Sequence, residues 1–210
     1  LEAMLSPMTP EEEAEEEYLR QKRSIAFWVL LFIGIARNAQ PCFLLENFKV
    51  QAFCVINDDV WLTRMFSLTA FTGVLGNISA SYIWDAIGMV NSNYLAIAVN
   101  LVVDVLMMTI APSSPGLFMG IIFFARAYSS YDIQINNMTM FSLYDSMVAL
   151  KLSKIFDFNF FFAICIGVAF NFVLVYECSY KMVYFCFFVL EAIAMFLIYQ
   201  FLDKKKDKTI

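Results

Sequence analysis

Long apolar stretches alternate with short polar ones along most of the chain. The first runs from about Ser24 to Leu45, the second from about Trp61 to Trp84, and the third from about Val90 to Ile110. A fourth covers about Gly116 to Met140, a fifth about Ile155 to Tyr176, and a sixth about Met182 to Leu202. Apolar residues are continuous within them, without the period-two alternation of a membrane β-barrel. A helix of about 20 such residues is about 30 Å long and reaches across a hydrocarbon layer. The pattern predicts an all-α integral membrane protein with six transmembrane helices, numbered here as spans 1 to 6.

The polar breaks carry their own signals. Span 1 holds Arg37, Asn38 and Gln40 in its second half, followed by Pro41, which is expected to kink it. Spans 2 and 3 are separated by only a few residues, and Gly88 can turn the chain there without a Cβ penalty. Gly73, Gly76 and Ser79-Ala80-Ser81 give span 2 a small-residue surface for close helix contact. Pro112-Ser113-Ser114-Pro115 ends span 3, and Phe141 to Lys154 is an amphiphilic connector between spans 4 and 5. Three regions follow: an acidic polar segment at 1–23, the six-helix domain at 24–203, and a basic tail at 204–210.

Charge adds orientation. Arg20, Lys22, Arg23, Lys151, Lys154, Lys204, Lys205, Lys206 and Lys208 fall on one side of the predicted spans, and only Lys49, Arg64 and Lys181 on the other. By the positive-inside rule both termini face the cytoplasm, or the matrix of an organelle. The acidic run Glu11 to Glu17 is expected to be solvated, and it resembles neither a signal peptide nor a mitochondrial transit peptide. The chain opens on Leu1, as expected of a processed, tagged or incompletely sequenced chain. Hydrophobic residues make up 61% of the sequence and charged ones only 16%, which excludes an ordinary soluble domain. No basic patch suits nucleic acid.

Candidate chemistry is sparse. The absence of histidine removes imidazole ligation and histidine acid–base catalysis. Cys42, Cys54, Cys165, Cys178 and Cys186 lack the spacing of a metal site, so no metal and no cofactor are expected. What stands out is a set of charges in apolar surroundings: Arg37, Asp104, Arg126, Asp132 and Glu191. Each is costly in lipid and should face protein or a water-filled cavity. Asp104 shares one face of span 3 with Asn93 and Asn100. These charges read either as buried ion pairs that fix helix register or as substrate and coupling residues. No nucleophile–base pair accompanies them, so an enzyme is not expected.

The hairpin between spans 2 and 3 carries a family resemblance. Ser81, Asp85 and Gly88 fall on the small, acidic and glycine positions of the loop Gly-x-x-x-Asp-Arg-x-Gly-Arg-Arg/Lys of major facilitator transporters. Ala86 stands in place of its arginine and Met89-Val90-Asn91 in place of its basic run; Arg126 and Ser130 answer to an Arg-x-x-x-Gly of the fourth helix. With six spans and both ends on one side, the chain resembles the N-terminal half of such a transporter. The resemblance implies a bundle of two three-helix inverted repeats, with spans 1 and 4 lining the central path and spans 3 and 6 peripheral. Asp104 and Glu191 would then turn inward or meet other membrane subunits, with Glu191 alternatively protonated in a nearly dry site, or a second half would complete the transport site. The missing half and lost basic residues point to a non-catalytic accessory subunit of a larger membrane complex, with the mitochondrial inner membrane as the first home considered. The alternative is a half-transporter that dimerises to carry a small solute.

Overall fold

A computed structural model describes residues 9–53, 56, 58–109, 114–174 and 180–203 of the 210-residue chain. The tail 204–210, Pro112, Ser113, Cys54 and Cys178 lie outside the described residues. Among those described there is no β-strand: the elements are α1 (Pro10–Lys22), α2 (Ile25–Glu46), α3 (Phe48–Phe53), α4 (Asp59–Thr109), α5 (Pro115–Leu143), α6 (Ser146–Phe156), α7 (Phe158–Leu174) and α8 (Lys181–Ile198), with a π turn at Tyr199–Asp203. The chain is an all-α protein.

Four helical stretches among the described residues are long and apolar enough to cross a membrane: Ile25–Glu46, Asp59–Thr109, Ser146–Phe170 and Lys181–Leu202. The six predicted spans reduce to this number for two reasons. Spans 2 and 3 lie within the single element α4, and α5, though 29 residues long, is diluted by Arg126, Asp132, Gln134, Asn136 and Asn137.

Inside α4 only Gly88 departs from helical geometry, with φ 77° and ψ 173°. That positive φ suits glycine, and a Cβ there would meet nothing within 4 Å, so the demand is conformational rather than steric. Contacts with α5 show what the break does. Thr72 donates to the Phe123 carbonyl at 2.9 Å, and Gly76 lies against Ala127, so α5 runs parallel to the arm before Gly88. Tyr128 donates to the Ala96 carbonyl and Tyr131 to that of Ser92, so α5 runs antiparallel to the arm after it. Gly76 and Ala96 would be about 30 Å apart on a straight helix, yet they meet adjacent residues of α5. Gly88 therefore folds α4 into a helical hairpin. Gly76 is the tightest point: a Cβ there would strike the Ala127 carbonyl and sit 3.0 Å from its Cα.

Apolar side chains form a large cluster at each end of the bundle. Phe43, Leu45, Phe48, Leu62, Met107, Phe118, Tyr184 and Phe187 make one. Phe27, Leu30, Ile97, Met140, Val148, Leu152, Ile198 and Leu202 make the other. Outward faces are apolar as well. On α8, Phe185, Val189, Ile193 and Phe196 are exposed at helical spacing, while Tyr184, Phe187, Glu191, Ala194 and Ile198 are buried on the opposite stripe. Apolar faces outward with polar groups inside is the arrangement that lipid demands.

The acidic segment, expected as a solvated run, is helical in α1. Thr9 and Glu12 form a capping box, with the Thr9 amide donating to Glu12 at 2.8 Å and the Glu12 amide to the Thr9 hydroxyl at 3.3 Å. α1 packs against the connector helix α6, where Lys151 pairs with Glu15 and lies over the Tyr18 ring. Val148, Ala149, Leu152 and Phe156 are the buried face of α6.

Candidate functional site

Between the two apolar clusters lies a polar layer drawn from α2, α4, α5 and α8. Arg37, Asn93, Asn100, Asp104, Asp132 and Glu191 are each 2% exposed or less. Arg37 donates from Nε to Asp132 Oδ1 at 2.6 Å; one terminal nitrogen reaches the same oxygen and the other reaches Asn93 Oδ1. The Asn93 amide passes the network on, donating to Thr139 Oγ1 at 2.9 Å and to the Met89 carbonyl at 2.9 Å. The Asn136 amide approaches the second Asp132 oxygen at 3.5 Å. One cation and its counter-ion thus tie three helices together, and partner bonds offset much of the desolvation cost of a buried ion pair.

Pro41 contributes through what it lacks. It sits inside α2, which continues to Glu46, and has no N–H to offer the carbonyl four residues earlier, that of Arg37. Asn100 of α4 fills the gap, donating from Nδ2 to the Arg37 carbonyl at 2.8 Å. The proline and the asparagine together cross-link α2 and α4.

Asp104 and Glu191 form a second, different unit. Both are fully buried, and none of their four carboxyl oxygens has a hydrogen-bond partner within 3.5 Å. The two carboxyls interact with one another across the α4–α8 contact, beside Asn100. The resemblance had placed these residues on peripheral helices, open to a neighbouring subunit. Both acids are instead buried within the chain, each turned inward toward the other.

The remaining candidates separate from this layer. Arg126 is exposed, has no salt bridge among the described residues, and lines a cavity of about 560 Å³ with Glu46, Lys49, Phe66, Ser67 and Thr69. Its stem lies 3.8 Å from where a Cβ on Gly73 would stand. Of the two arginines in apolar surroundings, only Arg37 pairs with an acid among the described residues. Ser81 and Asp85 are both exposed on the last turns before Gly88, away from the polar layer. Among the described residues no group of three or more His, Cys, Asp or Glu side chains could hold a metal.

Sequence reasoning passed over Asn136 and Thr139, although Asp132, Asn136 and Thr139 fall at i, i+4 and i+7 and so share one helix face. It also passed over Tyr184, whose hydroxyl donates to Gln51 Oε1 at 2.6 Å and joins α8 to α3.

No family model matches the chain, and no curated protein or solved structure matches it either. The likeness to major facilitator transporters rests on the hairpin residues and the order of apolar stretches alone.

Proposed function

We propose that the chain is an integral membrane subunit built like one half of a major facilitator transporter. In this reading it serves as a non-catalytic accessory component of a larger membrane complex. The observation that carries this is Arg126. It stands exposed beside Gly73, near the middle of the first α4 arm, with no counter-ion among the described residues. An arginine left to lipid at that depth costs about 2.5–3.5 kcal/mol on insertion scales. A second membrane protein laid over the α4–α5 face removes that cost, and exposed Ser67, Ala70 and Asn77 on the same arm give it a small, polar surface to meet.

The six-span arrangement belongs to this reading, with the two α4 arms and α5 as spans 2, 3 and 4. So does a shared side for both termini, cytoplasmic or matrix. Supporting it, α1, α6 and Leu202 gather at one apolar cluster. The mitochondrial inner membrane remains the first home to test.

The cavity at Arg126 favours a second reading, a half-transporter that dimerises around a small solute. Native electrophoresis of the membrane in mild detergent separates the readings. Migration within a large assembly of other proteins is expected. A dimer of this chain alone, together with saturable gradient-driven uptake by the purified chain in vesicles, supports transport and overturns the accessory role.

A further inference from the structure

The facing carboxyls of Asp104 and Glu191 take no part in the function proposed above, yet they are the costliest feature of the interior. Five oxygens converge there without a protein donor: both of Asp104, both of Glu191, and the side-chain oxygen of Asn100. Asn100 is itself fully buried and lies against Glu191. Between the two carboxyls themselves no protein donor stands among the described residues.

The surroundings show why no base fills it. From α2, Arg37 commits its guanidinium to Asp132 and Asn93 and offers this site only its backbone, through Asn100. From α5, Asp132 and the Tyr128 ring face Glu191, and Asp132 is held by Arg37. From α8, Tyr184 lies near Asp104 but gives its hydrogen to Gln51. α7 contains no charged residue between Phe158 and Leu174. Two ionised carboxylates touching in a dry interior repel strongly, and with no cation beside them one must be neutral. A proton is the smallest group that both removes the repulsion and supplies the absent donor.

We propose that Asp104 and Glu191 form a proton-binding site within the membrane, holding one shared proton between α4 and α8. Bound, the proton makes a carboxylic O–H donate to the opposing carboxylate and clamps the two helices. Released, it leaves two negative charges in contact, which drive α8 away from α4. The site is thus a proton-controlled joint, and it holds whether the chain is an accessory subunit or a transporter half.

Infrared spectroscopy of the full chain in neutral-lipid nanodiscs tests this directly. At neutral pH the spectrum should contain the carbonyl stretch of one protonated carboxyl per chain. The band should shift in deuterated water, and Glu191→Gln and Asp104→Asn should each abolish the paired signal. Carboxyl-labelled glutamate or aspartate gives the same reading on the wild-type chain should a variant not fold. No protonated band at neutral pH overturns the proposal, as does a band that neither substitution alters. Loss of the band on adding sodium chloride but not choline chloride also overturns it, in favour of a bound alkali cation.

Discussion

Arg37 spends its backbone and its side chain on different partners, and each can be tested separately. The Arg37 carbonyl is free because of Pro41 and is recovered by Asn100. Asn100→Ala should therefore cost about 1–3 kcal/mol, the usual penalty for stranding a buried polar group. In a Pro41→Ala background, where the helix can supply its own N–H, the cost should fall; a thermal-denaturation cycle in detergent measures the coupling. On the side-chain face, Asp132→Asn leaves a buried cation unpaired and should cost about 3–5 kcal/mol, whereas replacing Arg37 with Met and Asp132 with Leu together should be close to neutral. Equal melting losses for single and double variants would count against the pair. The five charges were legible as outliers in apolar sequence. Which of them pair was not legible, because three acids lie within reach of one arginine and only helix rotation selects among them. Asn100, an ordinary polar residue on paper, gains its role from a proline 59 positions earlier in sequence.

Among the elements, α4 and α5 are joined where two backbones nearly touch. Gly76→Ala puts a methyl group into the Ala127 carbonyl, and the helices must part. We expect a loss of about 1–3 kcal/mol, typical of overpacking, and weaker hydrogen-exchange protection around Thr72 and Tyr128. Gly120→Ala, where nothing lies within 4 Å, is the matched control. At the other end of the chain, α1 depends on its cap. The Thr9 amide, then its hydroxyl, hold the Glu12 carboxylate below its ordinary range. A carboxyl more acidic folded than unfolded contributes above its unfolded value and loses that contribution as pH falls through the folded one. The protection factors of amides in the first turn of α1, corrected for the intrinsic pH dependence of exchange, should therefore fall on acidification through the carboxylate range, and Glu12→Gln should flatten the dependence. The helix was written in the sequence as Thr9-Pro10-Glu11-Glu12, a start signal obscured by the surrounding run of acids. The Gly88 turn was legible because glycine there breaks two apolar runs.

At the scale of the whole molecule, a polar layer lies between apolar clusters inside an apolar surface. The apolar surface and the order of helices could be read from the sequence. The inward turn of α8 could not, since the resemblance placed that helix at the periphery, and only the buried stripe through Tyr184, Phe187, Glu191, Ala194 and Ile198 reveals its face. Arg126 is the exception to the inside-out arrangement. Arg126→Gln should leave the melting of the isolated chain within about 0.5 kcal/mol, as exposed substitutions usually do, while loosening assembly on native electrophoresis. A chain that unfolds while its assembly persists would mean that Arg126 serves the bundle itself.

The Arg37–Asp132 pair also sets a timetable for synthesis. Its members are 95 residues apart in sequence. At about 5–20 residues per second, a ribosome needs roughly 5–20 s between making the cation and making its counter-ion. Through that interval α2 carries an arginine that the bilayer disfavours and whose native counter-ion has not yet been made. We expect α2 to be held at the insertion machinery until α5 arrives to accompany it.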